Sequence, residues 1–253
     1  MVEICHLYAG YGNGDVLEDL NLRFPKGRIT VILGPNGCGK STLLKALIGL
    51  TPKVRGQIRM EGLDLSTLDT RQVAQKIAYL PQNSRVPDMT VRQLVLHGRF
   101  PYLSYPRRYR DQDRQAAEQA MEILGIRELA DRPLAQLSGG TRQKCRIAMA
   151  LAQDAPVILM DEPLSFLDIS HQLSLLRLAR ELADSGRTPV LVLHDLSLAL
   201  GWADQVILLA EGRIVQTGTP AEILESGALE QVFGVKVHQF DTPMGPQVIF
   251  TEQ

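Results

Sequence analysis

Gly34-Pro35-Asn36-Gly37-Cys38-Gly39-Lys40-Ser41-Thr42 decides the reading of this chain. Phosphate groups are crowded and highly charged, so a protein approaches them with bare backbone. Gly34, Gly37 and Gly39 permit the positive φ and close contact that side chains would block. Successive backbone N–H groups are then expected to face a β-phosphate, with the following helix adding its positive N-terminal end. Lys40 is expected to reach the β/γ oxygens and the Ser41 hydroxyl to ligate magnesium. Upstream, Arg28 to Leu33 is β-rich and apolar, as a buried parallel strand should be. Downstream, Thr42 to Ile48 changes to helical spacing and closes at Gly49. Strand, loop and helix form the context that a nucleoside-triphosphate loop demands.

The rest of the composition narrows the class. A chain of 253 residues can bury a full core, as one large domain or one domain with a lobe attached. Lys and Arg total 27 against 28 Asp and Glu, so bulk charge favours neither nucleic acid nor an anionic membrane. No apolar run approaches the ~20 residues needed to span a bilayer. The start, Met1-Val2-Glu3-Ile4-Cys5-His6, lacks the pattern of a secretory signal, so a cytosolic chain is expected. Cys5, Cys38 and Cys145 have no metal-like spacing and make no disulfide framework. Positive potential in the phosphate loop would lower the Cys38 thiol pKa and expose the site to alkylation. The simpler expectation is that a small side chain is wanted there.

Strands are predicted over Val2 to Tyr8 and Val16 to Phe24, joined by a turn at Gly10–Asp15, and again over Gln57 to Glu61. They imply a small antiparallel sheet beside the phosphate-loop strand. Thr90 to about Leu129 reads as mostly helical, interrupted at Phe100–Pro106, and is predicted to be a lobe inserted into an α/β core. Val157–Met160, Val190–Leu193 and Val206–Leu209 alternate with helical segments, chiefly Ser170 to Ser185, which implies a mostly parallel sheet covered on both faces. Glu211-Gly212 turns into a hairpin, Ala221–Leu224 starts a short helix, and the tail reads as a β-pair. The expected division is one domain. Its α/β core and β-lobe span about 1–85 and 155–253, and a helical lobe spans about 88–154.

Hydrolysis needs carboxylates at the carboxyl end of a neighbouring strand, where ligands collect in open α/β sheets. Asp161 and Glu162 end Val157–Met160; Asp161 is expected to hold magnesium and Glu162 to polarise the attacking water as general base. His194, ending the next strand, suits either a γ-phosphate contact or a capping role. Gln82, after the strand candidate Lys76–Leu80, is a candidate magnesium ligand and γ-phosphate sensor. Ser138, Gly139 and Gly140 open a long helix, Arg142 to Gln153, which makes a second bare N-terminus suited to an anion. Two anion sites in one chain imply two chains sharing each nucleotide, a homodimer glued by ATP.

These elements, in this order, resemble the ATP-binding cassette (ABC) family of ATPases across nearly the whole chain. Gly34 to Thr42, with Pro35, Asn36 and Cys38 included, matches its Walker A loop, and Gln82 its Q-loop. Leu137 to Gly140 matches its signature, and Val157 to Glu162 its Walker B with catalytic glutamate. Ser165-Phe166-Leu167-Asp168 matches the D-loop, His194 the switch histidine, and Tyr11 the ring stacked on adenine. The resemblance implies binding of ATP and Mg2+, and closure of a homodimer that moves an integral membrane permease from the cytoplasmic face of the inner membrane. Val95–Tyr102 and Leu167–Gln172 are similar to stretches of importers for iron–siderophore, haem and cobalamin chelates, whereas Gly218–Glu222 is similar to a stretch shared widely among importers. Such importers use a periplasmic or lipoprotein substrate-binding protein. Thr141, Leu164 and Phe166 depart from the family pattern. The rivals are a cassette ATPase acting on nucleic acid or the ribosome, and an exporter subunit. The first would use the aromatic–basic run Arg99 to Arg110 to stack on bases. It lacks the coiled coil or second cassette such proteins carry, so no nucleic-acid partner is expected. That run is expected on the helical lobe, near the permease and phospholipid headgroups.

Overall fold

In the computed structural model, residues 1–12, 14–82, 86–242 and 245–252 are described; Asn13, inside the turn expected at Gly10–Asp15, lies outside them. Strands β1 (Val2–Tyr11) and β2 (Gly14–Phe24) pair antiparallel from Val2↔Phe24 to Tyr11↔Gly14. β3 (Thr30–Leu33), buried throughout, leads into helix α1 (Lys40–Leu47). β4 (Lys53–Met60) then pairs antiparallel with β1, and β5 (Leu63–Asp64) with β4, giving the order β2–β1–β4–β5. Leu20, Leu22 and Phe24 are buried at every second position, the alternation a one-sided sheet requires. α1 starts two residues earlier than its apolar spacing implies. Gly39 sits at φ 107 and is the last non-helical residue, so Lys40 and Ser41 occupy the first turn.

Two compact units divide the chain: Met1–Ser66 with Ala179–Gln253, and Thr67–Leu178. The second holds α2 (Thr70–Lys76), β6 (Ile77–Leu80), α3 (Val91–His97), α4 (Asp111–Ile123), α5 (Gly139–Ala152), β7 (Val157–Asp161) and most of α6 (Ile169–Asp184). β6 and β7 run parallel, from Ile77↔Val157 to Leu80↔Met160. Helices α3, α4 and α5 pack on one another, and Val91, Val95, Ala117, Met121, Cys145 and Ala148 on them are buried. α5 begins at Gly139 rather than Arg142, because the Ser138 side chain accepts from Thr141 N–H and so caps the helix ahead of both glycines.

The chain then returns to the first unit through β8 (Thr188–Val192), α7 (Leu196–Trp202), β9 (Gln205–Ala210), β10 (Arg213–Gly218), α8 (Pro220–Glu225), α9 (Ala228–Phe233), β11 (Val235–Thr242) and β12 (Gly245–Glu252). β8 and β9 flank β3 in parallel, with Thr30 facing Val190 on one side and Gln205 on the other. β9 and β10 form the expected hairpin, and β11 and β12 the expected terminal pair. The fold is α/β, with parallel strands, a separate antiparallel sheet and a helical cluster.

Within the run Arg99 to Arg110, Arg99 alone departs from an exposed, partner-facing expectation among its four arginines. Arg99 is buried; its Nε donates to Asp113 Oδ1 at 3.1 Å, its Nη1 donates to the Ala152 carbonyl at 3.0 Å, and its guanidinium lies 4.0 Å from the Tyr102 ring centroid. Arg107 covers Phe100 at 4.8 Å. Arg99 therefore ties α4 to α5 rather than facing a partner. Truncating it leaves the buried Asp113 carboxylate without its cation, so Arg99→Ala is expected to cost about 3–5 kcal/mol. Arg107→Ala, at the surface, should cost under about 1 kcal/mol. Urea denaturation of the two variants checks the difference.

Candidate functional site

In the first unit the phosphate loop leaves β3 at Gly34. A Cβ there would lie 2.0 Å from the Leu209 carbonyl oxygen and 2.7 Å from Cys38 Sγ, so only glycine fits. Asn36 and Gly37 are exposed, and a Cβ on Gly37 would meet nothing within 4 Å, which leaves the mouth of the loop open. Lys40 is buried, and its Nζ donates to the carbonyls of Gly34 at 2.6 Å and Pro35 at 2.8 Å. The lysine thus closes a ring around the loop, satisfying its charge with main-chain oxygens. Ser41 and Thr42 follow it in the first turn of α1.

Two other predicted residues share this unit. β8 ends beside β3, with Leu193 N–H donating to Ile32 O at 3.4 Å, so the exposed His194 emerges at the same end of the parallel strands as the phosphate loop. Asp195 caps α7 immediately afterwards, its side chain accepting from Leu198 N–H. Tyr11 is 44% exposed at the tip of the β1–β2 hairpin, and that hairpin's Leu17 lies where a Cβ on Gly39 would be, 2.5 Å away.

Cys38 departs from its electrostatic expectation. Its thiol is buried, and that burial pushes the pKa up, outweighing the Lys40 charge that pulls it down. Its sulfur fills the space beside Gly34, as a small side chain should. Cys145 is pushed up to about 11 by burial in the helical cluster.

In the second unit the parallel pair β6–β7 brings Gln82, Asp161 and Glu162 to one end. Asp161 is 2% exposed and accepts from the Tyr79 hydroxyl at 3.3 Å. Glu162 takes a positive φ of 51° directly after it, which turns the chain sharply out of the strand. The following loop is braced by buried Gln143, whose Nε2 donates to the Pro163 carbonyl at 3.1 Å. Tyr79 and Gln143 are residues that motif reading passed over. Tyr79's place in a strand one residue before its end was its one signal; Gln143 had none beyond a polar residue on a buried helix face.

The signature turn packs against the D-loop. A Cβ on Gly140 would come within 3.3 Å of the Phe166 carbonyl oxygen, while the Phe166 side chain, at φ 67, stands 74% exposed. Ser138 Oγ accepts from Thr141 N–H at 3.2 Å and lies 2.9 Å from Thr141 Oγ1. Asp168 accepts from the His171 backbone N–H at 2.9 Å, from Ser170 Oγ at 2.8 Å and pairs with His171 Nδ1 at 2.8 Å. Those donors, the backbone N–H foremost, hold its carboxyl down at about 2.

Residues 17–165 match the family profile described as ABC transporter. The chain belongs to the ABC transporter family. It is 42% identical over 240 residues to the ferric enterobactin transport ATP-binding protein FepC of Escherichia coli, covering 94% of this chain and 89% of that one. It is also 42% identical over 231 residues to the iron(3+)-hydroxamate import ATP-binding protein FhuC of Bacillus subtilis, covering 90% and 86%. A solved structure described as an inward-facing, metal-chelate type ABC transporter superposes with a TM-score of 0.84 at 30% identity, over 100% of this chain and 96% of that one. As a member, the chain is an ATP-binding, ATP-hydrolysing transport subunit. Among the described residues, no helix is long and apolar enough to cross a membrane.

Two measurements check the site's chemistry. Exposed Cys5 should react quickly with a thiol reagent, while Cys38 and Cys145 react only in denaturant; a second fast equivalent would contradict the burial of Cys38. Asp168 has a folded pKa below the ordinary 3.8, so its stabilising effect is complete above that value and is lost only as pH falls toward about 2. Carboxyl NMR titration should place it there. His171→Ala should leave most of the depression in place, because the backbone N–H remains.

Proposed function

We propose that this chain powers import of an iron–siderophore or related metal chelate, as a homodimer bound to an integral membrane permease on the cytoplasmic face of the membrane. The observation that carries the ATP-driven reading is the pair of bare helix N-termini, α1 behind an open glycine loop and α5 behind Ser138-Gly139-Gly140. One grips the nucleotide of its own subunit; the other is offered to the nucleotide of a second copy. Relatives named for ferric enterobactin and ferric hydroxamate transport, each matching about nine-tenths of the chain, support the chelate as cargo. The cargo would reach the permease through a separate substrate-binding protein.

In this reading Gly34 to Thr42 hold the triphosphate through backbone N–H groups, and Tyr11 stacks on the adenine. Lys40 exchanges the Gly34 and Pro35 carbonyls for β/γ oxygens. Ser41, Gln82 and Asp161 offer only oxygen donors, which suits a hard dication, so these three would hold Mg2+, and that ion would neutralise phosphate charge. Glu162 accepts a proton from water as the water oxygen bonds to the γ-phosphorus; the bond to the bridging oxygen breaks, leaving ADP and phosphate. His194 donates to a γ-phosphate oxygen. Ser138, Gly139 and Gly140 of a second copy bind the same phosphate, and Asp168, ionised at any physiological pH, keeps the D-loop turned against them.

We assign the helical lobe, about 88–154, to permease contact. A cavity of about 220 Å³ there is lined by Val86, Pro87, Leu94, Leu134 and Met149 with Arg142 and Arg146, a shape and charge suited to an apolar segment carrying an acidic residue. A base-stacking role for the aromatic–basic run loses its first cation, since Arg99 is buried.

Glu162→Gln in the permease complex, reconstituted in liposomes, tests the reading. Hydrolysis should fall about 100-fold or more, chelate uptake should stop, and an ATP-bound dimer should accumulate. Wild-type turnover, or a strictly monomeric subunit under saturating Mg-ATP, would overturn it.

A further inference from the structure

We infer that Thr141 is a positioning residue whose hydroxyl aims the Ser138 proton at the anion received by α5; this rests on the signature role proposed above. The helix starts of this chain make the case by contrast. At α2, α3 and α8 the residue three places into the helix is Gln72, Gln93 or Glu222, and each reaches back to the backbone N–H of its capping residue. At α5 the same place holds Thr141, which is too short for that reach. Its hydroxyl instead meets the Ser138 hydroxyl at 2.9 Å, and no reciprocal backbone bond forms.

A serine hydroxyl has one proton and two acceptor sites. Thr141 N–H fills one acceptor site of Ser138. When the Thr141 hydroxyl fills the other, Ser138 has only its proton left, and that proton points away from the helix. The opposite orientation leaves the outward proton on Thr141. A phosphate oxygen can only accept, so an arriving triphosphate selects the first arrangement, with Thr141 donating to Ser138 and Ser138 donating to phosphate. The next two residues are glycines, which bring no side-chain hydrogen-bonding group of their own to this turn, and Gly140 is backed by the Phe166 carbonyl. Thr141 therefore replaces a backbone cap with a prearranged donor, where a Gln or Glu would bond the main chain.

The test compares Thr141→Val, Thr141→Ser, Ser138→Ala and the Ser138→Ala/Thr141→Val double variant in the permease complex. Thr141→Val keeps the shape and the backbone cap but removes the hydroxyl. It should raise KM for ATP about 3- to 10-fold with kcat within about twofold. Thr141→Ser should restore the wild-type KM, and the double variant should match Ser138→Ala. The inference is overturned if Thr141→Val leaves KM unchanged while Ser138→Ala raises it, if Thr141→Ser fails to rescue, or if the two effects multiply in the double variant. A harmless Ser138→Ala would instead remove the signature role itself, so the two failures are distinguishable.

Discussion

A main chain that is to hold a triphosphate must leave backbone N–H groups unpaired and uncrowded, and helix starts supply such groups. In the proposed site that constraint is met twice. At α1 it is met by removing side chains, since Gly34 presses against the Leu209 carbonyl and Gly39 takes a conformation that side chains resist. At α5 it is met by a serine cap and two glycines fitted under the Phe166 carbonyl. Gly39, Gly139 and Gly140 are poor helix formers, tolerated because they sit at helix starts.

Parallel pairing supplies the second half of the chemistry. Strands that run the same way end together, so residues far apart in sequence arrive at one edge. In the first unit β3 and β8 bring the phosphate loop and His194 to the same end. In the second, β6 and β7 do the same for Gln82, Asp161 and Glu162. Polar groups beside these ends hold the geometry: the Tyr79 hydroxyl on Asp161, Gln143 on the Pro163 carbonyl, and the Asp168 turn on Ser170 and His171. Each bond ties its loop or strand end to a neighbouring group.

The parts of the fold legible beforehand were those with local signals. The phosphate loop, the apolar strands and the hairpin at Glu211-Gly212 all carry their cause within a few residues. Helix α2 had such a signal too, the Asp69–Gln72 capping pair, although its seven residues are too short for apolar spacing to stand out. Arg99 misled because a cation among aromatics has the same local pattern whether it faces a partner or a buried carboxylate. Asp113, fourteen residues on, makes the choice.

By itself the sequence determined the family and the local chemistry on offer: a glycine-rich loop before a helix, carboxylates after an apolar strand, and glycines behind a serine cap. Those properties depend on residue type and short spacing. Only tertiary structure decided the state of each group, because burial and partners come from distant segments. The Cys38 thiol is raised by being covered, against the pull of its neighbour Lys40. Lys40 is bound to carbonyls of its own loop, and Thr141 finds the Ser138 hydroxyl rather than the main chain. Solvent exclusion and hydrogen-bond distance are properties of three dimensions, and a linear pattern does not contain them.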